Sequence, residues 1–320
     1  MSRAYLLRRT LIAIPSLLGI SIIIFSILAA APGDPFGQLV TNPNVPPAVI
    51  AKLRASLGLN QPIWLRYIHW LVAMLHGEWG FSFASRMDVA TLIMQRLSVT
   101  IAVLGSAEIL AILIAVPVGI LAAVRPYSLF DQIASTAAYI GVAMPTFFTG
   151  LLLIFLFSVR LHLLPFVFQD HVAGTGLVWL GAEIKQSIMP VAVLALFQGA
   201  PLVRFVRSSM LDVIRLDYVT TARAKGIGRR RVILRHVVRN GLIPVVTLVA
   251  LQLPGVFGGA IITEQIFRVP GMGSLLISAL LDNDTPVIMA ITFVFAILVI
   301  IFNLIADLLY GWLDPRINLR

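Results

Sequence analysis

Asp217 to Gly241 reads DYVTTARAKGIGRRRVILRHVVRNG, and it lies between two long apolar runs. From Arg204 to Arg239 the chain carries nine arginines and Lys225, against Asp212 and Asp217 alone. Charge this dense does not share a solvent with the apolar runs around it, so the block reads as a large water-exposed loop. Lys and Arg concentrate in the cytoplasmic loops of membrane proteins, which puts this loop on the inner side. A chain that spends its polarity on one internal loop is expected to be contacted there.

Composition agrees with a membrane protein. Of 320 residues, 59% are hydrophobic and 12% charged, and the mean hydropathy is +0.97. Soluble domains hold roughly 45–50% apolar residues. The formal charge of +10 is explained by Lys and Arg held beside anionic headgroups, without nucleic acid. With no cysteine in the chain, disulfides and thiolate metal sites are excluded.

A membrane span needs about 20 mostly apolar residues. Six stretches qualify: about Leu11–Ala31, Leu97–Val124, Gln132–Val159, Ile188–Val206, Leu242–Ile262 and Val287–Leu309. All are expected to be helices, because lipid offers no partner to an open strand edge. The expected class is therefore all-α, a polytopic membrane protein with six transmembrane helices. The first stretch follows Arg3, Arg8 and Arg9 and ends in three alanines, in the manner of a signal peptide, but it exceeds the roughly 7–15 residues of a signal core and reads as an uncleaved span. Pro15, Pro117, Pro145, Pro190, Pro201, Pro244 and Pro254 fall in or beside the spans, and kinks are expected there. With both termini inside, the inner segments hold roughly two thirds of the 24 Lys and Arg.

Between the first two spans, Pro32-Gly33-Asp34-Pro35 reads as a turn. Pro47 begins one expected amphipathic helix, with Val49, Ile50, Leu53 and Leu57 on a side. A second, from Pro62 to about His76, carries Trp64, Ile68, Leu71, Val72 and Leu75. Its aromatic residues suit a headgroup-level collar or a docking surface for an external partner. The outer loop from about Arg160 to Ser187, with Gly174, Gly176 and Gly181, reads as irregular. In the last outer loop, the glycines of Pro270-Gly271-Met272-Gly273 permit tight turns.

Within the basic block, Val213, Ile214, Leu216, Val219 and Ala222 can line one face of a short helix, which Gly226 ends as a C-cap. A second helix is expected from about Arg229 to Arg239. An exposed apolar face on a helix held out by two spans suits insertion into a groove on a partner; the alternative is a solvated, lipid-facing turn. Glu108 lies inside the second span, where a carboxylate costs roughly 2.5–3.5 kcal/mol on insertion scales. It is the substrate-path candidate, with a buried structural partner as the alternative. Gly255 and Gly259 have the spacing for close helix approach, or for a flexible pore helix. Thr146, Phe147, Phe148 and Gly150 can line a cavity or pack in the core. No metal site is expected, since the five histidines show no ligand spacing with a carboxylate. No catalytic site is expected either: no nucleophile–base constellation lies within the spans.

The basic block resembles the EAA loop of ABC-importer permeases, a pattern of roughly Glu-Ala-Ala-x-x-x-Gly. The corresponding positions are Thr220-Thr221-Ala222-Arg223-Ala224-Lys225-Gly226, with Thr in place of Glu and of the first Ala. Asp217, Tyr218, Val219, Thr221, Ala222, Ala224, Lys225 and Gly226, then Arg235, His236, Arg239 and Asn240, resemble the oligopeptide/dipeptide/nickel branch. Pro32 to Pro35, Ile266-Phe267, Pro270 to Gly273 and Asp314-Pro315-Arg316-Ile317 extend the similarity over nearly the whole chain.

The resemblance implies a type I ABC importer permease fold in the cell membrane, with residues 1–320 a single permease domain. About 32–96 would be its outer loop and about 207–241 its cytoplasmic coupling loop. It implies a second permease subunit, one or two ABC ATPase subunits and an extracytoplasmic substrate-binding protein, besides membrane lipid. ATP and Mg would be bound by the ATPases and no cofactor by this chain, which has no phosphate-binding G-x-x-x-x-G-K-[ST]. Leu216, Asp217, Tyr218, Thr221, Ala222, Ala224, Lys225 and Gly226 would meet an ATPase. The Pro-Gly-Asp-Pro segment points to the first of two permease types. The implied cargo is a peptide; a nickel chelate, or less so a self-contained secondary carrier, is the alternative.

Overall fold

A computed structural model of the chain describes residues 3–30, 60–82, 84–169 and 176–313, with Pro46 and Ala48. The helix expected from Pro47, the Pro32–Pro35 turn, Gly174 and the Asp314–Ile317 segment lie outside the described residues. The architecture is helical, with a two-residue antiparallel hairpin, β1 (Phe81–Ser82) and β2 (Met87–Asp88).

The long helices are α1 (Arg3–Ala30), α3 (Val89–Val124), α6 (Gly176–Ile214) and α11 (Thr285–Leu313). Between them lie α2 (Ile63–His76), α4 (Leu129–Ala143), α5 (Thr146–Leu153, continued by a π-helical stretch Ile154–Arg160), α7 (Asp217–Ala224) and α10 (Met272–Leu281). A single helical path runs from α8 (Arg229–Val232) through a π-helical stretch (Ile233–Val238) into α9 (Arg239–Phe267). Among the described residues, five helices are long and apolar enough to cross a membrane, and the α4–α5 pair makes up to six.

Three expectations are corrected here. The third span is not one helix: α4 and α5 meet at 106°. Met144 is extended (ψ 123) before Pro145, as the proline ring disfavours the helical region for its predecessor. Helix continues through Pro15, Pro117, Pro190 and Pro201. Second, the expected helix Arg229–Arg239 has no end of its own and leads directly into the next span. Third, α6 begins at Gly176, so much of the outer loop expected to be irregular is helix. At 36 and 39 residues, α3 and α6 are about 54 and 58 Å long. Both exceed the roughly 30 Å of hydrocarbon and extend beyond it.

The spine is the parallel pair α3 and α6. Ala107, Ala111, Ala115 and Gly119 recur every fourth residue of α3 and are buried, a small-residue stripe that lets two backbones approach. A Cβ on Gly119 would lie 2.7 Å from Val206 Cβ and 2.9 Å from the Val203 carbonyl oxygen. Gly255, by contrast, would meet nothing within 4 Å. The close approach expected from its spacing is not made there within this chain, and Gly259 falls among residues whose side chains are not described.

Apolar cores fill both ends and the middle of the bundle. At the α7 end, Ala115, Ala123, Val206, Met210, Val219, Ala222, Val232 and Val237 pack together. At the opposite end, α2, α3, α10 and α11 share a cluster including Met74, Ile93, Met272 and Ile291. There α2 is fastened through Tyr67, whose hydroxyl is 2.9 Å from Ser21 Oγ. Trp70 lies between Phe25 and Phe293, each ring 5.7 Å away. The other face of α2 presents Trp64, Ile68, Val72 and Leu75 to the surroundings, an apolar stripe suited to lipid contact.

Candidate functional site

The α6–α8 connection turns on two backbone devices. Leu216 is extended (ψ 146) and its carbonyl accepts from Val219 and Thr220 N–H, starting α7. At the other end Gly226 adopts φ +75. Its N–H donates to Arg223 O, and Ile227 N–H donates to Ala222 O at 3.3 Å. This pair of bonds and the left-handed glycine form a Schellman cap, as the glycine's position predicts. The helix is thus a single capped unit two turns long.

Its faces are not arranged as expected. Val219 and Ala222 are 0% and 5% exposed and pack inward on α3, α6 and the α8 segment. The apolar face therefore anchors α7 to its own chain instead of projecting toward a partner. The burial of each methyl is favourable, and that surface is already used. What remains outward is Leu216, Asp217, Tyr218, Thr221, Ala224, Lys225 and Gly226, all exposed. That outer surface mixes Leu216 and Tyr218 with charged and small residues.

Neighbouring contacts hold this unit in place. Arg229 Nη2 donates to Val124 O at 3.2 Å, tying α8 to the end of α3. Tyr218 Oη donates to His236 O at 3.4 Å, inside the π-helical stretch, and Asn240 Nδ2 donates to the same carbonyl at 2.7 Å. Arg207 clasps Asp131, and Arg204 lies 4.2 Å over the Tyr139 ring. Two of the basic residues counted in the loop thus serve internal contacts with α4. A small cleft here is lined by Tyr127, Arg207, Arg215, Arg223 and Arg229.

Glu108 is half-buried on α3, beside the Ala107–Ala111 stripe, and makes no hydrogen bond or ion pair among the described residues. The partner that would give it a structural role is therefore not within the described part of this chain. Thr146 and Thr149 are buried, and Gly150 packs 3.3 Å from Ile266 and Phe267 by its added Cβ. Phe147 and Phe148 face outward, each 50% exposed.

A second polar centre escaped sequence reasoning. Glu264, 1% exposed near the end of α9, accepts from Thr100 Oγ1 at 2.7 Å and from Ser274 N–H at 2.9 Å. Thr100 Oγ1 in turn accepts from Met272 N–H at 2.7 Å. The carboxylate so caps α10, whose free N–H groups and positive end suit an anion. Gly271 N–H closes a tight three-residue turn on Val269 O at 2.8 Å, and the glycines of Pro270-Gly271-Met272-Gly273 also serve this packing. A Cβ on Gly271 would lie 2.1 Å from Glu264 Oε1, and one on Gly273 2.6 Å from Ile261 Cα. The legible signal was a lone carboxylate at a span's end, a few residues before a Pro-Gly-x-Gly.

Residues 115–319 match the family described as binding-protein-dependent transport system inner membrane component, and residues 1–104 match its N-terminal counterpart. The chain is 42% identical over 322 residues to the oligopeptide transport system permease protein AppB of Bacillus subtilis (strain 168), covering 98% of this chain and 99% of that protein. It is 39% identical over 333 residues to the dipeptide transport system permease protein DppB of Escherichia coli (strain K12), covering 98% of each. A crystal structure of an amino acid ABC transporter with histidines shares the fold, with TM-score 0.53 at 14% identity over 73% of this chain and 99% of that one. Full-length coverage, the capped α7 and the helical topology lead to one assignment: the chain belongs to the inner-membrane components of binding-protein-dependent transport systems, with the permease fold of ABC transporters.

Proposed function

We propose that this chain is a permease subunit, of the first of the two permease types, in an ATP-driven importer of dipeptides or oligopeptides. The observation that carries the reading is whole-chain similarity to relatives named for oligopeptide and dipeptide transport, at 42% and 39% identity. The nickel-chelate and secondary-carrier alternatives are not favoured beside it.

In this reading the chain pairs with a second permease to form the path. One or two ATPase subunits bind ATP and Mg on the inner face, and an extracytoplasmic binding protein delivers cargo. Both termini lie in the cytoplasm of a multi-pass membrane protein. This chain binds no cofactor, catalyses no reaction and engages no nucleic acid.

The α7 unit receives the force of the ATPases. Leu216, Asp217, Tyr218, Thr221, Ala224, Lys225 and Gly226 contact an ATPase, while Ala222 transmits from beneath. Supporting this, Val219 and Ala222 are packed among residues of α3, α6 and α8. A displacement of α7 therefore moves two of the longest helices as a body, since packed interiors transmit strain. The path then opens alternately to either side of the membrane. Glu108, lacking a partner within the described chain, lines the path or its contact with the second permease.

Disulfide trapping tests the reading. Leu216→Cys and Thr221→Cys, each paired with cysteines on the co-expressed ATPase, should cross-link to it, and the intact complex in liposomes should accumulate a labelled dipeptide when supplied with ATP. Failure of every pair, or the absence of ATP-dependent peptide uptake, would overturn the assignment.

A further inference from the structure

At the end of the bundle opposite α7, a cavity of about 600 Å³ lies between α3, the α5–α6 connection, α9 and α10. That volume is within the roughly 300–1,000 Å³ of small-molecule sites. Arg96 of α3 and Arg268, the residue after α9, both line it, with Phe166, Phe168, Gln265 and Ser278 among the walls. Neither guanidinium makes an ion pair or hydrogen bond among the described residues. Glu264 also borders the cavity, but its oxygens are engaged by Thr100 and by the N–H of Ser274. Among the described residues, two guanidinium groups border the cavity with one carboxylate, Glu264, which is engaged with a helix end and feels the charge of Arg96, so that lining carries a net positive charge.

Arg268 is held there by the backbone. It adopts φ +56, unusual for a residue other than glycine, and its N–H closes α9 on Glu264 O. Glu264 itself is immobilised by the α10 cap. The Glu264 unit thus fixes the backbone carrying Arg268 at the cavity's rim.

We infer that this cavity receives the C-terminal carboxylate of the transported peptide, with Arg96 and Arg268 as its donors. The inference rests on the peptide-importer reading above. A guanidinium presents a planar fork that matches a carboxylate with two parallel hydrogen bonds. A conduit serving peptides of varied sequence can anchor only on what every peptide shares, and the terminal carboxylate is one such group. The apolar wall of Phe166, Phe168 and Pro270 accepts side chains without demanding particular ones.

The test uses the complete complex, both permeases with ATPases and binding protein, in liposomes. Uptake of a peptide with a free carboxylate is compared with uptake of its C-terminal amide, with the binding protein saturated by each. The wild-type complex should favour the free acid. Arg96→Gln with Arg268→Gln should lower free-acid uptake about tenfold or more, the scale of losing charge-assisted hydrogen bonds, and amide uptake far less. The preference should then disappear, while the affinity of the complex for its binding protein is unaltered. Arg96→Lys with Arg268→Lys keeps the charge and should restore part of the preference.

A double variant that retains the wild-type preference would overturn the carboxylate site while leaving the peptide importer intact. Equal loss for both peptides, with weaker docking of the binding protein, would assign the arginines to an acidic group on that protein and overturn it as well. Absence of uptake of either peptide by the wild-type complex would instead refute the importer reading on which the site depends.

Discussion

Arg207 holds Asp131 with two prongs, Nε to Oδ1 at 2.5 Å and Nη2 to Oδ2 at 2.8 Å, joining α6 to the first turn of α4. The same carboxylate accepts from Tyr127 N–H at 2.8 Å. Tyr127 has φ +64, so this bond steadies a strained turn. Asp131 is 3% exposed while the Arg207 side chain is 27% exposed, so the carboxylate is covered and its cation borders the neighbouring cleft.

Arg207→Leu should therefore destabilise the protein by about 1–3 kcal/mol, because it leaves a covered carboxylate without its cation. Adding Asp131→Asn removes that charge and should recover part of the loss. Thermal unfolding of the detergent-solubilised complex measures both; equal midpoints for wild type and Arg207→Leu would show the pair to be idle.

Thr100 is the middle link from Met272 N–H to Glu264. Because Thr100 Oγ1 accepts from Met272, its own proton is directed to Glu264 Oε1. Thr100→Val keeps the shape but leaves Met272 N–H and Glu264 Oε1 unsatisfied, at about 2–3 kcal/mol. Thr100→Ser retains the hydroxyl and should cost less than half as much. The susceptibility of the α9–α10 connection to protease should rise in the valine variant and stay near wild type in the serine variant.

Helix spacing in the spine is tested by two glycines of α3. Gly119→Ala places a methyl 2.7 Å from Val206 Cβ and should cost about 1–3 kcal/mol through overpacking. Gly105→Ala meets nothing within 4 Å and should be neutral or slightly stabilising, since alanine favours helix by up to about 1 kcal/mol. Comparing the two unfolding midpoints checks this; similar shifts would argue against close α3–α6 contact.

Gly226→Val forces a β-branched residue into the left-handed region (φ +75), which destabilises the cap by about 1–3 kcal/mol. No neighbour lies within 4 Å of the added Cβ, so the damage should be confined to the end of α7. ATP hydrolysis by the assembled complex is expected to continue while peptide uptake per ATP falls several-fold. Unchanged uptake per ATP would remove Gly226 from the coupling surface.

Much of the fold was legible because lipid imposes a coarse rule. Twenty apolar residues in a row announce a span whatever their order, and α1, α3, α6 and α11 cover the expected stretches. The end of α7 was legible because the need for a left-handed residue is local, and Gly226 meets it. The orientation of α7 was not. Val213, Leu216, Val219 and Ala222 mark an apolar face, but periodicity alone does not tell whether that face meets a partner or the rest of the chain. The α4–α5 corner was half legible: Pro145 announces a disturbance, yet Pro117 and Pro190 make the same announcement inside unbroken helices.

The sequence by itself determined an all-helical membrane protein, its family motif and the glycine that closes α7, because hydropathy and backbone conformation are properties of short stretches. Only the tertiary structure decided that Val219 and Ala222 turn inward, that Asp131 meets Arg207 and that Glu264 reaches Thr100 across 164 residues. Each of those depends on which distant helices become neighbours, and a buried polar group finds its partner only when packing brings it one.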